Sequence, residues 1–319
     1  MTEQIHDKGY KQLLSHKDNF IDLLKCHVSE PWTKEIDAAA LKLGNTGFVT
    51  KDFLGREADI LYGARIRDQD VKFCILLELQ SSPDFTMPYR LLEYMTGVLS
   101  ESFLNTKPDM RESESFRLPA VVPIVLYNGE YKWNCVRSFK EYFAEYERFA
   151  PHLIDFEYIL IDVNRLDDKK LLSVSAVINY AMYLDKVIDL EELKHRLRTV
   201  ADKSAGMTED KREQLRLWIH NVVSKKMPDT HTKEIEKTFE KGGLTEMTYA
   251  IERVIERALA ESELKGERKG KLKGELEGER KGKLETATAM MEYGDPIEKV
   301  SLITGIPEDE LRRYARPKN

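Results

Sequence analysis

Two carboxylates and an amide near the end of an apolar run are the residues best placed to do chemistry. The run begins at Val71 and leads into Glu78, Leu79 and Gln80. Its length and apolar character predict a strand that is buried on both faces, with Glu78 and Gln80 on one side. A carboxylate there is costly to bury unless a cation or a hydrogen-bond donor pairs with it.

A second acid, Asp59, stands on the preceding strand-like segment. The two segments are separated by the short polar stretch from Arg67 to Asp70, which predicts an antiparallel hairpin. A hairpin brings the start of one strand beside the end of the next, so we expect Asp59 to lie near Glu78 and Gln80. Facing side chains of paired strands stand about 4.5–5.5 Å apart, which allows two carboxylates to bind one ion.

Two carboxylates at that distance repel each other unless one is protonated or a cation lies between them. Oxygen ligands suit Mg²⁺, or another divalent cation such as Mn²⁺ or Ca²⁺. A metal-bound water is a better nucleophile, and the metal stabilises charge on a phosphate oxygen. We therefore predict Asp59, Glu78 and Gln80 as catalytic residues, with Asp59 and Glu78 binding metal and Gln80 orienting water. Taken singly, each acid is equally compatible with an ordinary surface ion pair.

The totals limit the classes of partner. The chain of 319 residues has a formal net charge of -6 and a pI of about 5.8, which argues against a surface that binds polyanions throughout but allows a local basic cleft. Its 3 cysteines show no zinc-ligand spacing and indicate a reducing, cytoplasmic setting. No stretch has the length and apolar character of a membrane span, so no membrane partner is expected.

The patterns also predict an order of elements. A helical segment runs from His6 to about Leu43, with a second helix starting at Pro31. Three strand-like runs follow as an antiparallel meander, and then a helix capped at Thr86. The next strand ends in an Asn-Gly turn, and Pro123 within it predicts an edge strand because proline donates no hydrogen bond.

After Leu166 the chain is predicted to be mostly helical, which suggests three regions: 1–166, a helical domain or cap at 167–244, and 245–319. The third region repeats the string GERKGK, with glycine at every fourth position from Gly266 to Gly282. Such a stripe favours close approach of a second helix and so a homo-oligomer. A frayed helix or linker fits equally well. The tail around Gly305 predicts two short helices, either a helix-turn-helix or, more consistent with its acidic residues, a small packing module.

The helix, three strands, helix and strand, with Asp59 on the second strand and Glu78-Leu79-Gln80 on the third, resemble the PD-(D/E)XK nuclease superfamily. The resemblance implies a fold of the α/β (α+β) class with an αβββαβ core and a mixed sheet. It makes 1–166 the nuclease-like domain. Gln80 stands where that motif usually has lysine, which puts the role of the lysine in doubt.

Four stretches resemble more closely the Rpn family of recombination-promoting nucleases, also described as YhgA-like putative transposases. They are HDKGYKQLLS from His6, READILY from Arg56, LLELQSSPDFTMPYRLLEYM from Leu76 and VVPIVLYNGE from Val121. The resemblance implies a metal-dependent DNA endonuclease of low sequence specificity that is linked to recombination or mobile elements.

The matched stretches add further candidates. Asp7 would contribute to metal binding, although a helix N-cap explains it equally well. DNA contacts are expected from Lys8, Lys11, Arg90 and Ser81. For Arg90 the alternative is an ion pair with Asp84 or Glu93, and for the lysines a solvated helix face. The missing lysine and the acidic pI leave open a second function, that of a non-catalytic DNA-binding or protein-interaction module on the same fold.

Overall fold

A computed structural model describes residues 2–44, 60–67, 69–78, 82–186, 188–223 and 232–314 of the chain. Contacts divide the chain into two compact units, Met1–Ile255 and Glu256–Asn319. The first unit contains a five-stranded mixed sheet with helices on both faces, so the predicted α+β class is confirmed. Among the described residues, none of the helices has both the length and the apolar composition needed to cross a membrane.

The strands lie side by side in the order in which they occur in the chain. They are β1 Lys42–Leu43, β2 Ile60–Ile66, β3 Gln69–Glu78, β4 Ala120–Tyr127 and β5 Ile159–Asp162. The first three pair antiparallel, whereas β4 runs parallel to both β3 and β5. Helices precede β1 and connect β3 to β4, so the predicted αβββαβ order is present. The first predicted strand, residues 46–53, falls outside the described residues.

The hairpin between β2 and β3 is tighter than its polar sequence suggests. Ile66 pairs with Gln69, so only two positions separate the paired ends of β2 and β3. Arg67 has a positive φ of 54°, as two-residue hairpin loops require. The predicted turn from Arg67 to Asp70 is therefore two residues too long, because Gln69 and Asp70 belong to β3. Gln69 and Asp70 join the ladder because backbone pairing needs no apolar side chain.

The prediction that β4 is an edge strand is also wrong, because β4 lies between β3 and β5. Pro123 pairs with Cys74 of β3, but the ladder to β5 begins only at Ile124. Pro123, which has no backbone N–H to donate, thus lies in the part of β4 that pairs only with β3. Proline is tolerated there for the same reason as at an edge.

Helices cover the two faces of the sheet. On one face lie α1 Thr2–Ser15 and α2 Lys17–His27, and the Phe20 ring of α2 stacks on Tyr62 of β2 at 4.3 Å between centroids. On the other face lies α3 Met87–Leu104, which is followed by α4 Pro108–Arg111. The buried side of α3 packs against Leu61, Val125 and Tyr127. The second helix begins at Lys17, whereas Pro31 starts only a four-residue 3-10 helix.

The predicted helical segment packs within the first unit. The short helix α5 Tyr146–Phe149 lies between β4 and β5 in the chain, before this segment. The segment itself contains α6 Asp168–Ser173, α7 Val177–Asp185, α8 Leu190–Lys203, α9 Glu209–Trp218, α10 Thr232–Lys241 and the start of α11 Leu244–Glu292. Every residue of α7 is buried. A π-helical turn, Ile219–Val223, follows α9 and lies against α1, where a Cβ on Gly9 would stand 2.6 Å from Val222 Cγ2. The described residues between 167 and 244 are thus part of the same compact unit as the sheet.

The second unit contains the rest of α11 together with α12 Ile297–Thr304 and α13 Glu308–Tyr314. These helices bury a small core formed by Ala287, Val300, Ile306 and Leu311. Gly305 ends α12 with a positive φ of 72°, a conformation that glycine adopts without strain. The tail forms a small packed helical module.

Candidate functional site

The predicted site residues lie partly outside what the structure describes. Asp59, Gln80 and Ser81 are outside the described residues. Glu78 is the last residue of β3 and Asp7 belongs to α1, but the side chains of both lie outside the description. The geometry of the site is therefore given by the backbone around these positions and by the described side chains beside them.

The start of β2 and the ends of β3 and β4 lie at the same end of the sheet, which is called the carboxyl edge below because β3 and β4 end there. Ile60, the first residue of β2, pairs with Ile75, so β2 begins beside the last third of β3. Glu78 pairs with Tyr127, and this pair closes both β3 and β4. The sheet thus brings the carboxyl ends of two parallel strands together, which is the edge at which α/β sheets usually bind ligands.

The Asp185 carboxylate lies at this edge and is fully buried. It stands at the end of α7, and its Oδ2 accepts a hydrogen bond of 2.5 Å from Asn128 Nδ2, immediately after β4. Its Oδ1 lies 2.8 Å from Nδ1 of His6 on α1, an ion-pair distance when the histidine is protonated. One carboxylate therefore joins α1, the end of β4 and the helical segment.

Tyr10 completes the surroundings of Asp185 on the side of α1. Its hydroxyl is completely buried, and this burial, together with the neighbouring Asp185 carboxylate, raises the pKa of Tyr10 well above its usual value. The phenol stays neutral and faces the carboxylate. His6 and Tyr10 are one helical turn apart, so the same face of α1 meets Asp185 twice.

The Asn128-Gly129 turn beyond β4 is fixed from a second direction. Asn164 Nδ2 lies 3.1 Å from both the backbone and side-chain oxygens of Asn128, and it donates to the Gly129 carbonyl at 2.9 Å. Arg165 donates to the same Gly129 carbonyl at 3.2 Å. The turn is a rigid part of this edge.

Arg90, a predicted DNA contact, has an intramolecular partner. Its Nη1 lies 2.7 Å from Asp84 Oδ2, and both side chains are 19% exposed. Burial raises the pKa of Asp84, but hydrogen bonds from Thr86 and Arg90 outweigh that effect and hold the pKa below its usual value. The structure therefore shows the alternative that the sequence left open, an ion pair that braces the start of α3. A phosphate contact by Arg90 stays a prediction.

Lys8 is exposed and Lys11 is half-buried on α1, the helix that carries His6 and Asp7. Both lysines thus lie on the element that approaches the edge through Asp185. No group of three or more His, Cys, Asp or Glu side chains suited to a metal ion occurs among the described residues, which exclude the side chains of Asp7, Asp59 and Glu78.

Sequence reasoning missed Asp185, Asn128 and Asn164. The sequence did indicate Asp185, which ends the apolar run VINYAMYLD. Like Glu78, it is a carboxylate at the end of a buried segment, and such a carboxylate needs a partner. Asn128 was interpreted only as a turn residue. Its partner Asp185 is 57 positions away, and nothing in the local pattern indicates that distance.

A family model matches the part of the chain that carries the candidate site. The model of the family described as "Putative transposase, YhgA-like" matches residues 4–214 of the 319. The chain belongs to this family. The match covers the described strands of the sheet and ends within α9, so the YhgA-like region includes Asp185.

Curated relatives of this YhgA-like chain have the names expected for the Rpn family. Recombination-promoting nuclease RpnD of Escherichia coli O157:H7 is 26% identical over 174 residues, 54% of this chain and 63% of the relative. Inactive recombination-promoting nuclease-like protein RpnE of Escherichia coli (strain K12) is 25% identical over 176 residues, 54% of each chain. The match thus spans between half and two thirds of these relatives. The predicted resemblance to the Rpn family is confirmed, and no solved structure matches the chain.

Proposed function

We propose that this YhgA-like protein is a metal-dependent DNA endonuclease of low sequence specificity that works in the cytoplasm and is linked to recombination or mobile elements. One observation carries the proposal: β2 begins, and β3 and β4 end, at the carboxyl edge of the sheet. The two predicted catalytic acids border that edge in the sequence. The names of the relatives, which include recombination-promoting nucleases, support the same reaction class.

The donor set suits a hard divalent cation such as Mg²⁺, Mn²⁺ or Ca²⁺. Asp59 directly precedes Ile60, and Ile60 pairs with Ile75 of β3. Because β2 and β3 are antiparallel, Asp59 and Glu78 would both lie beyond this pair, toward the same end of the sheet. The proposal requires β2 to keep its direction through Asp59. The two acids would then be diagonal neighbours about 7–8 Å apart, rather than the directly facing pair that the hairpin predicted. Asp59 and Glu78 would hold the metal, and Asp7 would add an oxygen from α1.

The reaction is hydrolysis of a DNA phosphodiester. A bound divalent cation supplies a more acidic water and stabilises charge on the phosphate. Gln80 orients the attacking water through its amide, and solvent or a substrate phosphate oxygen accepts the proton. Lys8, Lys11, Arg90 and Ser81 would contact the backbone of DNA, which implies weaker binding as salt concentration rises.

Nicking of supercoiled plasmid tests this function. With Mg²⁺ present, Asp59→Ala and Glu78→Ala should each lower the nicking rate by roughly 100-fold or more, because a lost ligand removes much of the metal's contribution. EDTA should abolish nicking by the wild-type protein. Asp109→Asn, a change to an exposed carboxylate on α4, is the matched control. Equal nicking by wild type and both alanine variants would contradict the proposal and indicate a contaminating nuclease.

A second function has specific support, that of a DNA-binding or protein-interaction module without catalysis. One matched relative is named an inactive recombination-promoting nuclease-like protein, and another is 30% identical over 98 residues and named putative inactive. Gln80 in place of the usual lysine points the same way. Retardation of DNA in a gel by a wild-type protein that nicks nothing with Mg²⁺, Mn²⁺ or Ca²⁺ would favour this function.

We also propose that a second copy of this chain packs on the exposed stretch of α11. Residues 259–283 of this helix are exposed or nearly so, and Leu272 and Leu276 are each 59% exposed. Each is followed two residues later by a glycine, about 200° further around the helix. The leucines therefore form a ridge opposite a row of glycines, around which a Cβ would meet nothing within 4 Å. The leucine ridge of one copy fits the glycine row of another.

A further inference from the structure

The burial of the Asp185 carboxylate costs desolvation free energy, and its position at the end of a helix adds to that cost. Its side chain is 0% exposed. It ends α7, where the negative end of the helix dipole disfavours a carboxylate. A residue that served only to fill space there would be apolar, since an apolar side chain of similar size avoids the desolvation cost.

The partners of Asp185 belong to the parts of the chain that carry the candidate site. On one side it receives a hydrogen bond from Asn128, the residue after Tyr127, whose strand partner is Glu78. On the other side it meets His6, the residue before Asp7. Asp185 is thus one contact and one residue away from the proposed metal-binding position Asp7. It is linked to Glu78 through Asn128, Tyr127 and the pairing of β4 with β3.

The end of α7 that presents Asp185 is held firmly. Arg196 of α8 is buried, donates to the Tyr183 carbonyl at 2.8 Å and lies over the Tyr183 ring. Lys186, directly after α7, donates at 2.5 Å to both the Leu166 carbonyl and Asp168. The position of the Asp185 carboxylate is therefore fixed by α7 and its neighbours. His6 and Asn128 make their contacts with it only when α1 and the end of β4 are in place.

We propose that Asp185 is a positioning residue that holds the first turns of α1 and the end of β4 in place around the metal site. This inference rests on the proposed nuclease function for its effect on catalysis. It assigns the helical segment a part in the site, since the carboxylate comes from α7. Asp185 itself touches neither metal nor DNA.

The test is Asp185→Asn, which keeps the shape of the side chain and removes its charge. We expect a folded protein whose kcat for plasmid nicking is lower by about 10- to 100-fold and whose Mg²⁺ requirement rises, as when a residue supporting a metal ligand is lost. KM for plasmid should change little. Asp22→Asn, which breaks an ion pair between α2 and α9, is the matched control and should leave the Mg²⁺ requirement unchanged.

Hydrogen exchange separates this inference from the nuclease proposal. In Asp185→Asn, amides of residues 2–12 and 127–131 should exchange faster than in wild type, whether or not the protein cuts DNA. Faster exchange at both segments without any wild-type nicking would support positioning while the nuclease function fails. Unchanged exchange there, or wild-type kcat and Mg²⁺ requirement, would overturn the inference.

His6→Ala covers the case in which Asp185→Asn does not fold. His6 is on the first turns of α1 and partly exposed, so its loss removes one of the two α1 contacts with Asp185 and leaves that of Tyr10. Faster exchange of residues 2–12 in this variant would support the inference. Wild-type exchange in a folded His6→Ala protein, together with an unfolded Asp185→Asn protein, would overturn the proposed role of the His6–Asp185 contact in holding α1.

Discussion

At the scale of single residues, the carboxylates of this protein differ mainly in how their neighbours satisfy them. Asp84 and Asp155 accept several hydrogen bonds, and the pKa of each is lowered. Asp162 is partly buried, and burial raises its pKa although Arg165 is near. Asp185 is buried at the candidate site with partners from two other elements. The burial and partners of an acid, rather than its type, separate a stabilising role from a functional one.

Asp155 leads to a prediction about acid stability. The Ser138 hydroxyl and the backbone N–H and ammonium of Lys140 hydrogen-bond to its carboxylate and lower its pKa from 3.8 to about 2. A pKa that is lower in the folded state stabilises the protein above the unfolded value, and that stabilisation is lost as the pH falls through the folded value. The contribution should be present above pH 3.8 and disappear as the pH approaches 2.

Thermal melting of wild type and Asp155→Asn at pH 5, 3 and 2 measures this effect. The wild type should have the higher Tm at pH 5, and the difference should shrink as the pH falls. The effect at pH 5 should be small, because the ion pair with Lys140 is more than a third exposed and solvent screens it. A Tm difference that stays constant or grows toward pH 2 would contradict the assignment.

At the scale of elements, the turn after β4 depends on close packing as well as on hydrogen bonds. The Tyr127 hydroxyl donates to the Tyr131 carbonyl at 2.7 Å, and the Tyr127 ring packs edge-on against Trp133 at 4.9 Å. This places the ring against Gly129, where a Cβ would overlap its hydroxyl oxygen and ring carbons. Glycine is needed at this position because the buried Tyr127 side chain cannot move away.

Gly129→Ala should therefore lower the free energy of unfolding by about 1–3 kcal/mol, the usual cost of adding a methyl group to a filled site. Urea denaturation followed by circular dichroism measures the change. Gly206→Ala is the control, because a Cβ there meets nothing within 4 Å, and it should be neutral or slightly stabilising. An equal effect of the two substitutions would show that the Tyr127 ring does not restrict the turn.

At the scale of the whole molecule, α11 belongs to both compact units. Its first turns bury Met247, Ile251 and Val254 within the first unit, and Glu252 forms an ion pair with Arg198 of α8 at 2.9 Å. The change from buried to exposed residues comes near Ile255, later than the boundary that the sequence suggested at residue 245. The repeated charged stretch begins only after the core contacts of the helix end.

Light scattering tests whether this exposed stretch mediates self-association. The full chain should have at least twice the mass of a 37.0 kDa monomer. The double variant Leu272→Lys/Leu276→Lys should be monomeric, because the charged side chains replace the leucine ridge. Leu302→Lys, at a leucine on α12 that is 86% exposed, is the control and should keep the wild-type mass. A monomeric wild type, or an unchanged mass in the double variant, would contradict the proposed interface.

The sequence by itself determined the local elements of this protein. Helical and alternating periodicity indicated α3, the β2–β3 hairpin and the helical second half, because these patterns depend on residues within a few positions of one another. The acid after the apolar run at Val71 was also visible, since the cost of burying a charge is a local property. The predicted order of elements led to the αβββαβ core through its resemblance to a known superfamily, although β1 lies at Lys42–Leu43, at the end of the segment predicted to be helical.

Only the tertiary structure decided which elements are neighbours and which polar groups meet. It placed β4 inside the sheet despite Pro123, because strand position depends on where β5 joins rather than on one residue. It paired Arg90 with Asp84 and brought Asp185 to Asn128 across 57 positions. Such contacts follow from the path of the whole chain, and a buried polar group takes the partner that this path supplies.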